Sequence, residues 1–278
     1  MPDRSCPYCG RFISRTARHC HHCDLVLPSR WELLLARGGK RGIVITFGLP
    51  MLLLLVLLIW PAMQRPKQSG VGNICKKNLK QIALALHNYH DEWHSFPPAF
   101  IADKDGKPMH SWRVLILPYL GETDLYASYD FSKPWDAPDN QLVLERMPKL
   151  FRCHSDQSAP PYTTNYAAVF GAGCLFDPER PIRIRDVKDG TTTTLMVGEV
   201  VDVNIPWTKP EDIDVSQHPG INQPGGFGSR HEGGCQFALA DGSVKFIEQK
   251  LSPELCYALF HRNDGKQFEG ACVVYQPK

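Results

Sequence analysis

The chain has 278 residues, a net charge of +2 and ten cysteines. A balance so close to neutral excludes the strong one-signed field on which whole-domain nucleic-acid binding relies, and the length suggests one or two domains. The cysteines fall into two groups. Cys6, Cys9, Cys20 and Cys23 are clustered, whereas Cys75, Cys153, Cys174, Cys235, Cys256 and Cys272 are widely spaced.

Residues 1–26 are read as a small head. The segment CPYCGRFISRTARHCHHCD holds two C-x-x-C pairs, Cys6/Cys9 and Cys20/Cys23, with ten residues between them. Four thiolates at that spacing close a tetrahedral structural zinc site, whereas a redox motif needs only one pair. Gly10 follows the first pair, where a positive φ turns backbone amides toward sulfur. The pattern predicts a zinc ribbon with Zn as a structural cofactor, whose binding energy supplies most of the folding of so short a unit. Reduced or disulfide-paired cysteines are the alternative. Arg4, Arg11, Arg15 and Arg18 make the head basic, but no aromatic platform for stacking bases is visible, so nucleic acid is not expected as a partner.

Residues 27–42 form a connector, and Ile43 to Met63 is a run of 21 residues without a charge. About 20 apolar residues suffice to cross a bilayer core, and a lone span must be helical to satisfy its backbone. Trp60 stands where an interfacial aromatic is expected. A cleaved signal peptide fits poorly, because the lead is long and WPAMQ lacks a small-x-small site. A buried core helix would need a polar face that Leu49 to Trp60 does not have. Basic residues flank the span on both sides, so they do not set its orientation. Zinc-binding thiolates favour a reducing compartment, and the later cysteines suit an oxidising one. The expected layout is a single-pass membrane protein with its N-terminus cytoplasmic and its C-terminal domain outside.

Residues 64–73 read as a flexible linker containing Pro, Ser and Gly. Residues 74–278 form the main domain. Cys75, Leu79, Ile82, Leu86, Tyr89 and Trp93 recur at spacings of 4, 3, 4, 3 and 4, one face of a helix that stops before Phe96-Pro97-Pro98. SWRVLILPYL (Ser111 to Leu120) is a short helix or a strand; periodicity cannot separate them. Leu125 to Tyr129 and Asn140 to Arg146 look partly helical, while Thr164 to Phe170 and Thr193 to Val201 read as strands. Cys235 to Ile247 alternates around Asp241-Gly242, the pattern of a hairpin with a type I′ turn. The fold class is α+β, one helix packed on an antiparallel sheet.

The ordered segments Cys75 to Phe100, Ser111 to Leu120, RCHSD (Arg152 to Asp156), TNYAAV (Thr164 to Val169), DGTTTTLMVGEV (Asp189 to Val200) and HEGGCQFALADGSVKF (His231 to Phe246) resemble the bacterial pilin-like family catalogued as domain of unknown function 1559. Its C-terminal signature, a His, nine residues and Asp-Gly, is met by His231, Asp241 and Gly242. The resemblance implies a pseudopilin-like fold, with an N-terminal apolar helix and a globular head, as in type II secretion. It also implies a disulfide between Cys75 and Cys153, which match cysteine positions of the family. A processing motif resembling G-F-T-L-x-E is not met, since Gly42 is followed by Ile-Val-Ile-Thr-Phe, so filament assembly does not carry over.

Other candidate sites have simpler readings. Asp241-Gly242 is first a turn, and His231 could bond back to the hairpin. His87, His90 and His94 share a helix face that could hold a metal, but a hydrogen-bonded helix face accounts for them as well. Asp103-Lys-Asp105-Gly106 begins like a calcium loop, yet Lys107 and Val114 stand where further ligands are needed, so it reads as a surface turn. Ser229, His231 and Asp241 lack a nucleophile elbow. No catalysis is expected. The function read from the sequence is a membrane-anchored, pseudopilin-like structural or interaction protein of the bacterial envelope, with the membrane and envelope proteins as partners and no small-molecule substrate identified. The alternative is an extracytoplasmic ligand-binding or sensing protein, with the Pro206 to Gly228 loop and its Trp207 lining the site.

Overall fold

A computed structural model of the chain describes residues 4–14, 16–27 and 66–265. The chain divides near residue 67 into two units. Residues 28–42 of the connector and the apolar run Ile43 to Met63 lie outside the described residues, as does Cys272, while Leu27, read as the start of the connector, packs in the head. Among the described residues no helix is long and apolar enough to cross a membrane.

The head pairs β1 (Arg4–Ser5) with β2 (Phe12–Ile13) in antiparallel fashion. Among its described residues the core is Cys6, Ile13, Cys20 and Leu27, with Ala17 and Cys23 packed against them.

The second unit opens with α1 (Pro66–Trp93), which begins inside the stretch that composition reads as a linker. Pro66 stands at its first position, where a missing N–H costs nothing and φ is already helical. The predicted stripe is buried from Cys75 through Leu79, Ile82 and Leu86, joined by Ala83 and Ala85. It fails at Trp93, which is exposed, stacks on Tyr89 and donates from Nε1 to the Tyr119 hydroxyl at 3.0 Å. His94 then takes a left-handed φ of 57° and ends the helix two residues ahead of Phe96.

A two-stranded ribbon follows, β3 (Phe100–Ala102) with β4 (Pro108–Ser111). Its turn is the acidic segment: Asp103 Oδ1 accepts from the amides of Asp105 and Lys107, so that carboxylate organises the loop. The ambiguous Ser111 to Leu120 run is helical, as α2 (Trp112–Leu115), capped by Ser111, and a 3₁₀ turn at Leu117–Leu120. Short helices α3 (Thr123–Ala127) and α4 (Pro138–Leu144) follow.

The main sheet has five strands, β5 (Tyr166–Phe170), β6 (Leu195–Glu199), β7 (Ile213–Asp214), β8 (Gly234–Leu239) and β9 (Val244–Glu248), in the order β7-β5-β6-β8-β9. All neighbours are antiparallel except β5 and β7, so the expected purely antiparallel sheet is corrected at one edge. A buried ion pair sets that edge. Arg113 Nη2 lies 2.6 Å from Asp212 Oδ1, and Asp212 also accepts from Trp112 Nε1 (3.0 Å) and the β5 amide of Ala168 (2.6 Å). Tyr166 O accepts from Arg113 Nε and Nη2, tying the same guanidinium to β5. Arg113→Met is therefore expected to destabilise the domain by about 3 kcal/mol in urea unfolding, since it strands a buried carboxylate. The low end of the range applies because Trp112 and Ala168 remain as donors.

Both faces of the sheet are covered. Tyr166, Ala168, Met196, Ala238 and Ala240 face the α1 core, while Ala167, Val169, Leu195, Phe237 and Leu239 face a second core closed by Phe227 and by Cys256, Leu259 and Phe260 of α5 (Pro253–Phe260). The one-helix-on-sheet expectation is thus extended to three layers. The covering also explains why every position of β8 is buried rather than alternate ones.

Candidate functional sites: a cysteine cluster in the head and a Cys/Glu/His cluster in the domain

In the head, Cys6, Cys9, Cys20 and Cys23 place their sulfurs within 4.8 Å of one another. The Cys6–Cys23 and Cys9–Cys20 separations are 3.8 and 3.6 Å. A tetrahedron with Zn–S near 2.3 Å has edges of about 3.8 Å, so the set fits a metal of that size. Local backbone builds it twice over. The Gly10 amide donates to Cys6 O at 2.9 Å and the Asp24 amide to Cys20 O at 2.7 Å, with φ of 73° at Gly10 and 60° at Asp24. These turns aim the amides of Arg11, His22 and Leu25 at Cys9, Cys20 and Cys23. The His22 amide, with that of Cys23, pulls the Cys20 thiol down to about 6. Against the Arg11 and Leu25 amides, burial and the neighbouring sulfurs push Cys9 and Cys23 up, so the four sulfurs do not ionise together without a cation among them.

In the domain, the dispersed motif segments converge. Cys75 on α1 and Cys153 form a disulfide with Cα atoms 5.6 Å apart. Asn78, one turn after Cys75, donates to Arg152 O (3.0 Å) and to the Tyr166 hydroxyl (3.2 Å). Asn165 Oδ1 accepts from the Cys153 amide at 2.9 Å, and its Nδ2 reaches Asp156 and Val200 O. Burial opposes ionisation of Asp156, yet Ser158, Asn165 and Arg230 together hold its carboxyl below the usual range. Arg230 bonds Asp156, Ser158 and Asp202, and so fastens the loop carrying His231 onto the segment carrying Cys153.

Glu199 ends β6 with its carboxylate buried beside the disulfide. Its Oε2 accepts from the Gln236 amide at 2.7 Å; its Oε1 makes no hydrogen bond and faces His231 Nε2 at 3.6 Å. That carboxylate raises the His231 pKa against the opposing effect of burial. One donor atom from each of Cys75, Cys153, Glu199 and His231 lies within 4.8 Å of the others.

His231 therefore does not bond back to the hairpin tip. Asp241-Gly242 stands at the far end of β8, a strand of about 20 Å at 3.3 Å per residue, where the signature's second half does different work. The Gly242 amide donates to Leu239 O, and only Gly242, at φ 77°, is left-handed. The turn is a type I turn with a glycine bulge rather than type I′, which would need positive φ at both central residues. Gly242 O accepts from Lys80 Nζ at 2.6 Å, so the hairpin tip is tied to α1. A Cβ at Gly242 would sit 3.2 Å from the His87 ring. Gly242→Ala is expected to cost about 1–2 kcal/mol in urea unfolding from left-handed strain.

The helix histidines separate in the same way. Burial lowers the pKa of His87, which bonds Ala240, and of His90, whose Nε2 accepts from the Ile184 amide at 3.2 Å. His94 is exposed. Ser229 Oγ accepts from the His231 backbone, not its ring. Trp207 is fully buried, stacked on Phe151 and donating to Leu144 O, so it lines no open site. Glu199, Asn165, Asp156 and Arg230 were not singled out from the sequence. The one signal for Glu199 was a lone acid inside the apolar strand LMVGEVV.

A family model described as "Protein of unknown function (DUF1559)" matches residues 73–223 and 206–254, well over half of the chain. The chain belongs to the DUF1559 family. The matched residues contain the disulfide, Glu199, His231 and the Asp241-Gly242 turn, so the Cys/Glu/His cluster is a feature of the DUF1559 domain of this chain and not of its head. No match to a curated protein or to a solved structure was found.

Proposed function

We propose that this DUF1559 protein is a membrane-anchored, non-catalytic component of the bacterial envelope, with a pilin-like outer domain and a cytoplasmic zinc ribbon. The observation that carries this reading is α1: it starts three residues after the apolar run Ile43 to Met63 and lays Leu79, Ile82 and Leu86 onto the sheet. An apolar segment leading into a helix packed on antiparallel strands is the layout expected of a pseudopilin-like protein. Zinc in the head is supported by the all-sulfur donor set, which suits a soft or borderline metal. The absence of the G-F-T-L-x-E pattern near Gly42 favours a permanent anchor over a processed filament subunit.

The test is topology combined with metal content. Tags at each end, read after protease treatment of spheroplasts, are expected to show a protected N-terminus and a digested C-terminal domain. Zinc is expected in the wild type and lost in Cys6→Ser. An exposed head, or a C-terminal domain released by cleavage near residue 63, overturns the reading.

A ligand-binding role has one observation in its favour. An open groove of about 680 Å³ is lined by Ile74, Asn78, Arg152, His154 and Tyr162 among others. Thermal-shift screening of the domain tests it, and a stabilising ligand blocked by Tyr162→Ala would bring it forward.

A further inference from the structure

The cluster at Cys75, Cys153, Glu199 and His231 has features that a simple structural disulfide does not need. The disulfide already joins α1 to the segment after Phe151, and neither Glu199 nor His231 is required for that bond. Yet Glu199 is 1% exposed, its Oε1 meets His231 Nε2 at an ion-pair distance of 3.6 Å without a hydrogen bond of normal length, and the pair lies against the two sulfurs. A buried carboxylate and imidazole held by one long contact recover little of their desolvation cost, and both would gain from an ion placed between them and the sulfurs.

The donor set specifies that partner. Two sulfurs, an imidazole nitrogen and a carboxylate oxygen lie within 4.8 Å of one another and come from α1, the segment after Phe151, the end of β6 and the loop before β8. Sulfur and imidazole exclude calcium and magnesium, which take oxygen; four mixed S/N/O donors suit zinc or a related transition ion. In the disulfide the sulfurs bear no charge and are poor ligands. As thiolates they would join Glu199 in one buried anionic cluster, most of whose charge a divalent cation would offset. The supporting contacts are also in place, since the Gln236 amide fixes Glu199 Oε2 and Asn165 fixes the Cys153 backbone.

We propose that reduction of the Cys75–Cys153 disulfide opens a second metal site, in which Cys75, Cys153, Glu199 and His231 bind a divalent transition ion of the zinc class. Disulfide and metal are then alternative ways of closing the same cluster. An external dithiol gives two electrons and two protons to the disulfide, leaving two thiols and a cyclic disulfide on the reductant. Metal binding then releases two thiol protons.

The experiment uses the full-length protein in its oxidised form and after treatment with a phosphine, which reduces the disulfide by taking up the oxygen of water and does not leave a competing dithiol. Each form is loaded with zinc, desalted and assayed for metal per chain. The reduced form is expected to hold one more zinc than the oxidised form. The same comparison made in Cys6→Ser, which disables the head site in both forms, is expected to show the same difference, so failure of the head to bind zinc leaves the result intact. His231→Ala retains the disulfide, so its fold can be verified in the oxidised state by circular dichroism. After reduction its affinity for the additional zinc is expected to fall by more than the roughly 10–100-fold that loss of an outer-shell partner causes. Glu199→Gln is expected to weaken it likewise, and Cys153→Ser to abolish it. Equal zinc in the oxidised and reduced wild type overturns the proposal. So does additional zinc that is undiminished in reduced His231→Ala, which would mark binding by thiols alone.

Discussion

Removing metal with a strong chelator is expected to unfold residues 4–27 while leaving the DUF1559 domain intact. Among its described residues the head has two strands of two residues each and a core of four buried side chains, two of which are themselves cysteines of the cluster. That core is far too small to offset the conformational entropy of ordering the segment. Structural zinc supplies about 10–16 kcal/mol of apparent binding free energy in units of this kind, which exceeds what any other contact in the head provides. Hydrogen exchange of the full-length protein gives the readout. Amides of Cys6, Gly10, Cys20 and Asp24, protected in the loaded protein through the turns around the sulfurs, are expected to exchange freely after chelation and to recover when zinc is returned. Cys20→Ser is expected to behave as the chelated protein does, with or without added zinc. Protection that persists through chelation would show that the head is held by disulfides or by its own packing, and the ribbon reading would fall.

The second large effect concerns the disulfide. Cys75 and Cys153 are 78 residues apart, so their bond closes a long loop in the unfolded chain. Chain-entropy reasoning assigns such a closure about 4.5 kcal/mol. In the presence of chelator, Cys75→Ala/Cys153→Ala is expected to lose that amount in urea unfolding, a large share of the 5–15 kcal/mol typical of a domain. Its m value should rise, because the unfolded state without the cross-link exposes more surface. Asn78, Asn165 and Tyr166 remain to hold α1 against the sheet, so the variant should still fold. A loss below about 1 kcal/mol would indicate that the bond is not formed in the isolated protein. Wild-type protein reduced without chelator and supplied with zinc should lose less than the double variant, since bound metal restores the cross-link.

The two predictions draw on different kinds of sequence information. The head cysteines could be read directly because their chemistry is local: each C-x-x-C pair places its sulfurs through one turn, with Gly10 and Asp24 supplying the positive φ. The α1 stripe was also local, since a period of 3.6 states which face is buried. It became misleading where tertiary contact ends, at Trp93, because periodicity does not say how far the sheet extends. At the other end, Pro66 to Gly72 had the composition of a linker but is helical, propensity yielding to the continuation of a helix anchored further along.

By itself, the sequence determined the two-part cysteine usage, the amphipathic helix, the principal strands and an α+β class. In each case the physical signal is a spacing within a few residues. Only the tertiary structure decided that the sheet is covered on both faces and has a parallel edge held by Arg113 and Asp212. It also decided that His231 and Asp241-Gly242 serve opposite ends of β8. The meeting of Glu199 and His231 over the Cys75–Cys153 disulfide belongs to the same class. Those groups come from segments up to 156 residues apart in the numbering, and their proximity arises from sheet order and helix packing, which no local period encodes.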